Sequence, residues 1–317
     1  MKRSAALLAM AAVTLPNRVR GQALVKLTVA SPPGTGVTPA LYAIKAGIFR
    51  KYGLDVDFQK MTSGAAIQAA VAGGSVQIGS GSATSVITAY AHGLPLQFVC
   101  GGAFYEAGNR VPYQMLLVGK TSTIKIAADL NGKTLGLQVA CGDLAAMSTQ
   151  AWVEKHGGDW QSIHILEIPQ SAMAAAVEQG RIDGMSMGSP GSTIALASGK
   201  VRILADPFEA VAKRFSIAPW FAATAWVKAN PDIVQRFDRA MSEASAYANS
   251  HPKEMLPLLA AYSGVDPEVI ESAARAPFIV PLGPADFQPL IDVMLTYKVI
   301  DKTLDPNDLI AATATRR

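Results

Sequence analysis

One succession of elements is written twice in this chain, and that repetition limits the fold more than any other feature. Ala69-Ala70-Val71…Gly74-Ser75-Val76 aligns without gaps on Ala175-Ala176-Val177…Gly180-Arg181-Ile182, 106 positions later. Around the first copy the pattern reads strand (27–30), Gly/Pro/Thr loop (31–38) and a helix opened by a capping Thr38 and Pro39. A strand (54–58), a helix (65–72) and a strand (76–78) follow. The second copy reads strand (133–139), loop (140–143), helix (144–155), strand (163–168), helix (172–179) and strand (182–185). Leu54, Val56 and Phe58 alternate with Asp55, Asp57 and Gln59, the two-residue period of a strand. Strands alternating with helices imply mostly parallel sheets, and the duplication implies two similar α/β lobes.

The segments outside the copies say how the lobes connect. A strand at 98–103, a polar loop through Asn109 and Arg110 and a strand at 114–118 lead from the first copy to the second. After the second copy, the run 220–227 reads as extended. If 114–118 and 220–227 are the crossings, lobe one is 24–116 together with 220–317, lobe two is 117–219, and two strands hinge them. The remainder is helical, with Ile233, Val234, Phe237, Met241 and Ala244 on one stripe and further helices at 252–262, 266–274 and 285–297. These pack on lobe one.

Residues 1–23 read as a secretory signal: Lys2-Arg3 is followed by a short apolar core, 5–13, and small residues before a cut near Ala23. That core is too short to span a bilayer. Setting aside Lys2, Arg3, Arg18 and Arg20 takes the 28 basic residues to 24, equal to the 24 acidic ones. A neutral mature chain gives no electrostatic footing for nucleic acid. Cys100 and Cys141 are too few for a disulfide framework, and Cys100 reads as a small buried hydrophobe.

The chemistry-bearing stretch is 74–85. A short strand ends in Ser80, Ser82, Thr84 and Ser85 with Gly79 and Gly81, just before a helix. Glycines let backbone approach a guest, hydroxyls donate or accept, and the first N–H groups of a helix favour polar or anionic ligands. In open α/β sheets ligands lie beyond the carboxyl ends of the strands. Asp143 caps the helix that starts at Leu144 and is placed to meet a ligand as well. The strongest enzyme signal is Gly184-Met185-Ser186-Met187-Gly188, which matches the G-x-S-x-G nucleophile elbow. A serine hydrolase would need His251 with Asp206 or Asp232 as partners, and the motif lies inside a repeated lobe pattern. No catalytic set is therefore expected. His92, His156, His164 and His251 show no metal spacing. Gly79-x-Gly81-x-x-Thr84 lacks the third glycine of a dinucleotide fingerprint, so no cofactor is expected.

The run 42–56, Tyr-Ala-Ile-Lys-Ala-Gly-Ile-Phe-Arg-Lys-Tyr-Gly-Leu-Asp-Val, resembles the A…G-F-F-K-x-x-G-L-x-V signature of ABC-transporter substrate-binding proteins. The nearest subgroup is the sulfonate-binding and thiamine-pyrimidine one. Leu130-Asn131-Gly132-Lys133-Thr134-Leu135-Gly136 resembles its L-x-G-K-x-I-G entry to lobe two, and Gly180-Arg181-Ile182-Asp183-Gly184 its G-x-I/V-D-A. The resemblance implies a type II periplasmic binding fold, a monomer that closes on a small-molecule ligand and passes it to a membrane permease with its ATPase. It implies ligand contacts at Thr35 and Thr38, at Ser80, Ser82, Ala83 and Thr84, at Cys141, Gly142 and Asp143, at Gly188 and Ser189, and at Trp220 by the hinge. The Cys/His-rich motif of the enzymatic thiamine-pyrimidine branch is absent. The loops so picked are rich in hydroxyls and poor in arginine, which favours a small polar or aromatic guest, an N-heterocycle or a carboxylate, over a sulfonate. Two other readings stay open: a hydrolase using Ser186, and a ligand-sensing subunit of a membrane receptor.

Overall fold

The computed structural model describes residues 23–108, 111–139 and 143–317. The expected signal segment up to residue 22, the Asn109–Arg110 part of the polar loop, and Cys141 and Gly142 lie outside them. Among the described residues, eleven strands form two sheets. They are β1 (Val25–Ser31), β2 (Leu54–Lys60), β3 (Ile78–Ser80), β4 (Leu96–Glu106), β5 (Gln114–Gly119), β6 (Thr134–Leu137), β7 (His164–Glu167), β8 (Gly184–Gly188), β9 (Val201–Ala205), β10 (Arg214–Ala223) and β11 (Phe278–Ile279). Sheet one runs β11-β4-β10-β3-β1-β2, and sheet two runs β7-β6-β8-β5-β9.

The duplication is visible in the pairing. β2, β1 and β3 are parallel, as are β7, β6 and β8. Val29 faces Ile78 in the first trio, and Leu135 faces Gly184 in the second. Each trio is extended by an antiparallel strand, β10 beside β3 and β5 beside β8. Each of those is the first strand after the chain has changed sheets, so each half is closed by chain arriving from the other.

The sheet changes fall in 107–113 and 206–213, not in the extended runs the sequence offers. β5 lies wholly in sheet two and β10 wholly in sheet one. Residues 220–223 end β10, and the following helix Thr224–Ala229 replaces the expected extension. Apolar runs report burial on both faces of a strand but not which sheet contains it. No glycine or proline marks the end of β10. Its boundary is set by tertiary hydrogen bonding, including Thr224 N–H to the Pro95 carbonyl at 2.8 Å.

Sheet one and the helical remainder share one core, as the apolar stripe implies. The long helix Pro231–Ser250 buries Val234, Phe237, Met241 and Ala244. Phe237 stacks on Phe49, and Phe98 stacks on Phe287 at 4.4 Å between ring centres. Two glycines in β4 place the far edge of this sheet. A Cβ on Gly101 would sit 1.9 Å from the Ile279 carbonyl oxygen, and one on Gly102 would sit 2.2 Å from that of Ala218. Only glycine lets β11 and β10 approach β4 so closely. The chain's last residues then lock down: Thr315 donates its N–H and hydroxyl to the buried Asp238 carboxylate, and Arg317 pairs with Asp286.

Candidate ligand-binding site

The loop after β1 supplies the first wall. A 3-10 turn, Thr35–Val37, runs into the helix Thr38–Lys45 with Pro39 in its first turn. Thr38 is the first helical residue rather than the cap: its hydroxyl turns back to the Thr35 carbonyl at 2.6 Å. The helix therefore begins with no side chain on its first N–H groups. An uncapped start presents partial positive charge.

The 80–84 loop contributes less surface than its composition suggests. Ser80 is 4 % exposed, Ala83 and Thr84 are buried, and Ser82 alone is half-open. Ser82 and Thr84 bond each other at 2.9 Å. Gly79 is held by packing, since a Cβ there would strike Ile67 and Phe221. Trp220 is fully buried in sheet one, edge-on to Phe237 and Phe58. It is a core residue and not a hinge surface, because β10 continues into sheet one beneath the helix Pro231–Ser250.

On the other side, Asp143 caps the helix Leu144–Lys155 by accepting from Ala145 N–H at 2.6 Å, as its position in the sequence implies. Its surroundings strip water from the carboxyl and push it above the usual range, while the Ala145 and Ala146 N–H groups pull it down. The loop after β8 holds Gly188 and Ser189. Ser189 N–H bonds the Tyr113 carbonyl at 2.9 Å. Its hydroxyl donates to the Ala274 carbonyl at 3.2 Å, tying sheet two to the segment before β11. Tyr113, in the first crossing, lies beside Thr35, and burial raises its phenol while Thr35 acts against that. Thr35, Ser189 and Tyr113 are thus brought together, while Ser80 and Trp220 stand back in the core.

A cavity of about 430 Å³ opens beside this junction. Thr35, Thr38 and Glu106 line one side. The helical pair Leu256–Ser263 and Pro267–Ser272, with residues 273–278, lines the other. The pair is coded locally. Gly264 takes a left-handed conformation (φ 77°) at the end of the first helix. Asp266 caps the second through Glu268 N–H at 2.8 Å, with Pro267 behind it. The Asn249 side chain bonds both backbone groups of Phe278, fixing the start of β11.

Arg275 lines this cavity and has no ion-pair partner among the described residues. Arginine-poor loops therefore do not make an arginine-free site: the cation arrives from 240 positions beyond Thr35 in sequence. The only local signal is a lone arginine in Ala273-Ala274-Arg275-Ala276-Pro277. Tyr113 and Glu106 were equally silent.

The Ser186 reading fails on geometry. Its motif is a strand, β8, with no sharp turn after the serine. Ser186 is buried, accepts from Gln114 Nε2 at 3.0 Å and lies 2.8 Å from Thr149 Oγ1, whose hydroxyl sits 2.6 Å from the Ala145 carbonyl. A satisfied polar chain joins β5, β8 and a helix there, with no histidine in it. Cys100 is a free, buried thiol. Among the described residues no cluster of three or more His, Cys, Asp or Glu could hold a metal, and no helix is long and apolar enough to cross a membrane.

The comparisons with known proteins agree with this architecture. The taurine-binding periplasmic protein of Escherichia coli K12 is 28% identical over 250 residues, 73% of this chain and 71% of that one. The crystal structure of the periplasmic aliphatic sulphonate binding protein SsuA from Escherichia coli superposes with a TM-score of 0.77 at 22% identity, covering 91% of this chain and 98% of that one. The desulfurization enzyme DSZB shares the fold too, with a TM-score of 0.68 at 15% identity over 90% of this chain and 96% of that one. The family model described as NMT1/THI5 like matches residues 34–255, so this chain belongs to the NMT1/THI5-like family, in the two-sheet fold of periplasmic binding proteins.

Proposed function

We propose that this protein is the exported solute-binding component of an ABC importer. Its lobes, 24–106 with 214–317 and 114–205, close as a monomer on one small organic sulfonate, which a permease and its ATPase then carry inward. The observation that carries the reading is the cavity in the sheet-one half, lined by Thr35, Thr38 and an unpaired Arg275 and bordered by Ala274, whose carbonyl accepts from Ser189 of the sheet-two half. Two connecting segments, 107–113 and 206–213, are the hinge, a common arrangement for closing domains around a ligand. Relatives that bind taurine and aliphatic sulphonates support the ligand class.

The protein binds its ligand and releases it unaltered. The satisfied, histidine-free surroundings of Ser186 support this. The fold shared with a desulfurization enzyme motivates the second reading, in which a bound sulfur compound is cleaved. A thermal-shift screen of sulfonates, carboxylates and pyrimidines tests the binding, and mass analysis of the recovered ligand tests the chemistry. Ligand at a hundred times its Kd stabilises by about 2.7 kcal/mol. The expected result is a clear rise in Tm with sulfonates and quantitative recovery of the added compound. Response to carboxylates or pyrimidines alone would reject the sulfonate class, and loss of sulfur from the ligand would establish the enzyme.

A further inference from the structure

The two halves meet a second time, away from Ser189 and Ala274. The helix Leu144–Lys155 of the sheet-two half starts at the Asp143 cap, among the expected ligand contacts. Its first turns rest on the second connecting segment: Leu144 and Met147 share a buried cluster with Phe208 of the 3-10 turn Pro207–Ala210. Phe208 in turn stacks against Tyr113 of the first connecting segment, with ring centres 6.4 Å apart. A rise of roughly 1.5 Å per residue puts Lys155 about 12 Å beyond Met147. There Ala151, Glu154 and Lys155 wall one side of a groove of about 580 Å³. Asp292, Thr296 and Tyr297 of the sheet-one half wall the other, and residues 210–212 complete the lining. One hydrogen bond spans it, from Tyr297 O–H to Glu154 at 2.8 Å, while the second oxygen of that carboxylate accepts from Gln150 at 2.9 Å. Tyr297 ends the helix Gln288–Thr296, and Lys298 after it is the one non-glycine with a positive φ, 55°, among the described residues. Glycine is the usual residue in that place, because a Cβ disfavours the left-handed conformation. Such a conformation persists only where its surroundings hold it.

We propose that this groove sets the balance between the open and closed forms, so that Glu154, Tyr297 and Thr296 tune ligand affinity without touching the ligand. This rests on the two-lobe reading above, in which 107–113 and 206–213 are the hinge. The helix Leu144–Lys155 is a lever with Phe208 as its fulcrum. A swing that lifts Asp143 away from the Thr35–Thr38 turn carries Glu154 and Lys155 toward the helix Gln288–Thr296 and narrows the groove. Here the Ser189–Ala274 contact and the Tyr297–Glu154 bond are both made while the groove stands wide. Opening therefore displaces Tyr297 from Glu154, and bulk placed in the groove blocks the swing. Apparent affinity scales with the fraction of chains in the binding-competent form, so positions far from the ligand control it.

The test is small-angle scattering of the full chain without ligand, on the unmodified protein, Tyr297→Phe, Thr296→Trp and Lys155→Trp, followed by calorimetric titration of each with hexanesulfonate. Thr296 and Lys155 are exposed, on opposite walls, and Tyr297→Phe removes one hydroxyl, so the variants are expected to fold, and a thermal melt checks this. The expected result is a smaller radius of gyration in both tryptophan variants and a larger one in Tyr297→Phe. Hexanesulfonate should bind about threefold or more tighter to the first two and about threefold weaker to the third. Radii and affinities that do not differ among the four chains would overturn the proposal, as would tryptophan variants that expand. Radii shifted as stated with no binding of hexanesulfonate to any chain would uphold the groove's role and overturn the sulfonate assignment instead.

Discussion

Asp206 stands where the chain returns to sheet one, accepting from Tyr105 O–H at 2.9 Å and from Phe208 N–H at 3.0 Å. Burial is the main cause that lifts its carboxyl to about 6; the Tyr105 and Phe208 bonds act against that, and Glu209 adds to it. A carboxyl whose folded value lies above its unfolded one, near 3.9, stabilises the fold fully below about pH 4 and loses that contribution as pH rises through about 6. Asp206→Asn, which mimics the protonated form, should match the unmodified chain near pH 4 and exceed it in urea midpoint near pH 7. A constant difference across that range would contradict the assignment. Ser186 makes a second prediction at this scale. Ser186→Ala leaves Gln114 Nε2 without its buried acceptor, so it should cost about 1–3 kcal/mol in urea unfolding while sulfonate affinity is unchanged. A large loss of ligand binding with stability intact would reinstate Ser186 as a functional group.

At the scale of elements, β4 is the strand on which the site's far wall depends. Gly101→Ala would drive a methyl into the Ile279 carbonyl and push β11 away, and with it residues 273–277. The expected cost is about 3 kcal/mol or more, with loss of amide protection in β11 before the parallel trio of sheet one. Deleting 313–317 would strip Asp238 of the Thr315 N–H and hydroxyl and leave a buried carboxylate unpaired, a loss of about 3–5 kcal/mol by thermal or urea unfolding. These elements also show what the sequence can and cannot disclose. The two trios were legible because their periodicity and their Gly74 and Gly180 turns are local. Asp143 was legible as a cap because capping acts within three residues. The long helix was legible from its stripe of Val234, Phe237, Met241 and Ala244. Arg275, Tyr113 and Glu106 were not, since their role comes from contacts between segments far apart in the chain. Trp220 misled because an aromatic in an apolar run reads the same in a core as in a cleft.

In the whole molecule, the two sheets are joined by more than the two connecting segments. Leu144 and Met147, from the helix between β6 and β7 of sheet two, pack into the core of sheet one with Phe208. Tyr297 bonds Glu154 across the same boundary at 2.8 Å, and Ser189 bonds Ala274 on the other. On the proposed reading, opening breaks the Ser189–Ala274 contact, and a guest held against Ala274 favours keeping it. That reading links ligand and closure, with the guest shifting the population toward the closed form by its preference for that form. Small-angle scattering of the chain with and without saturating hexanesulfonate measures this linkage directly. A smaller radius of gyration is expected in the presence of the sulfonate, reversible on its removal; identical scattering under demonstrated saturation would contradict closure on the ligand.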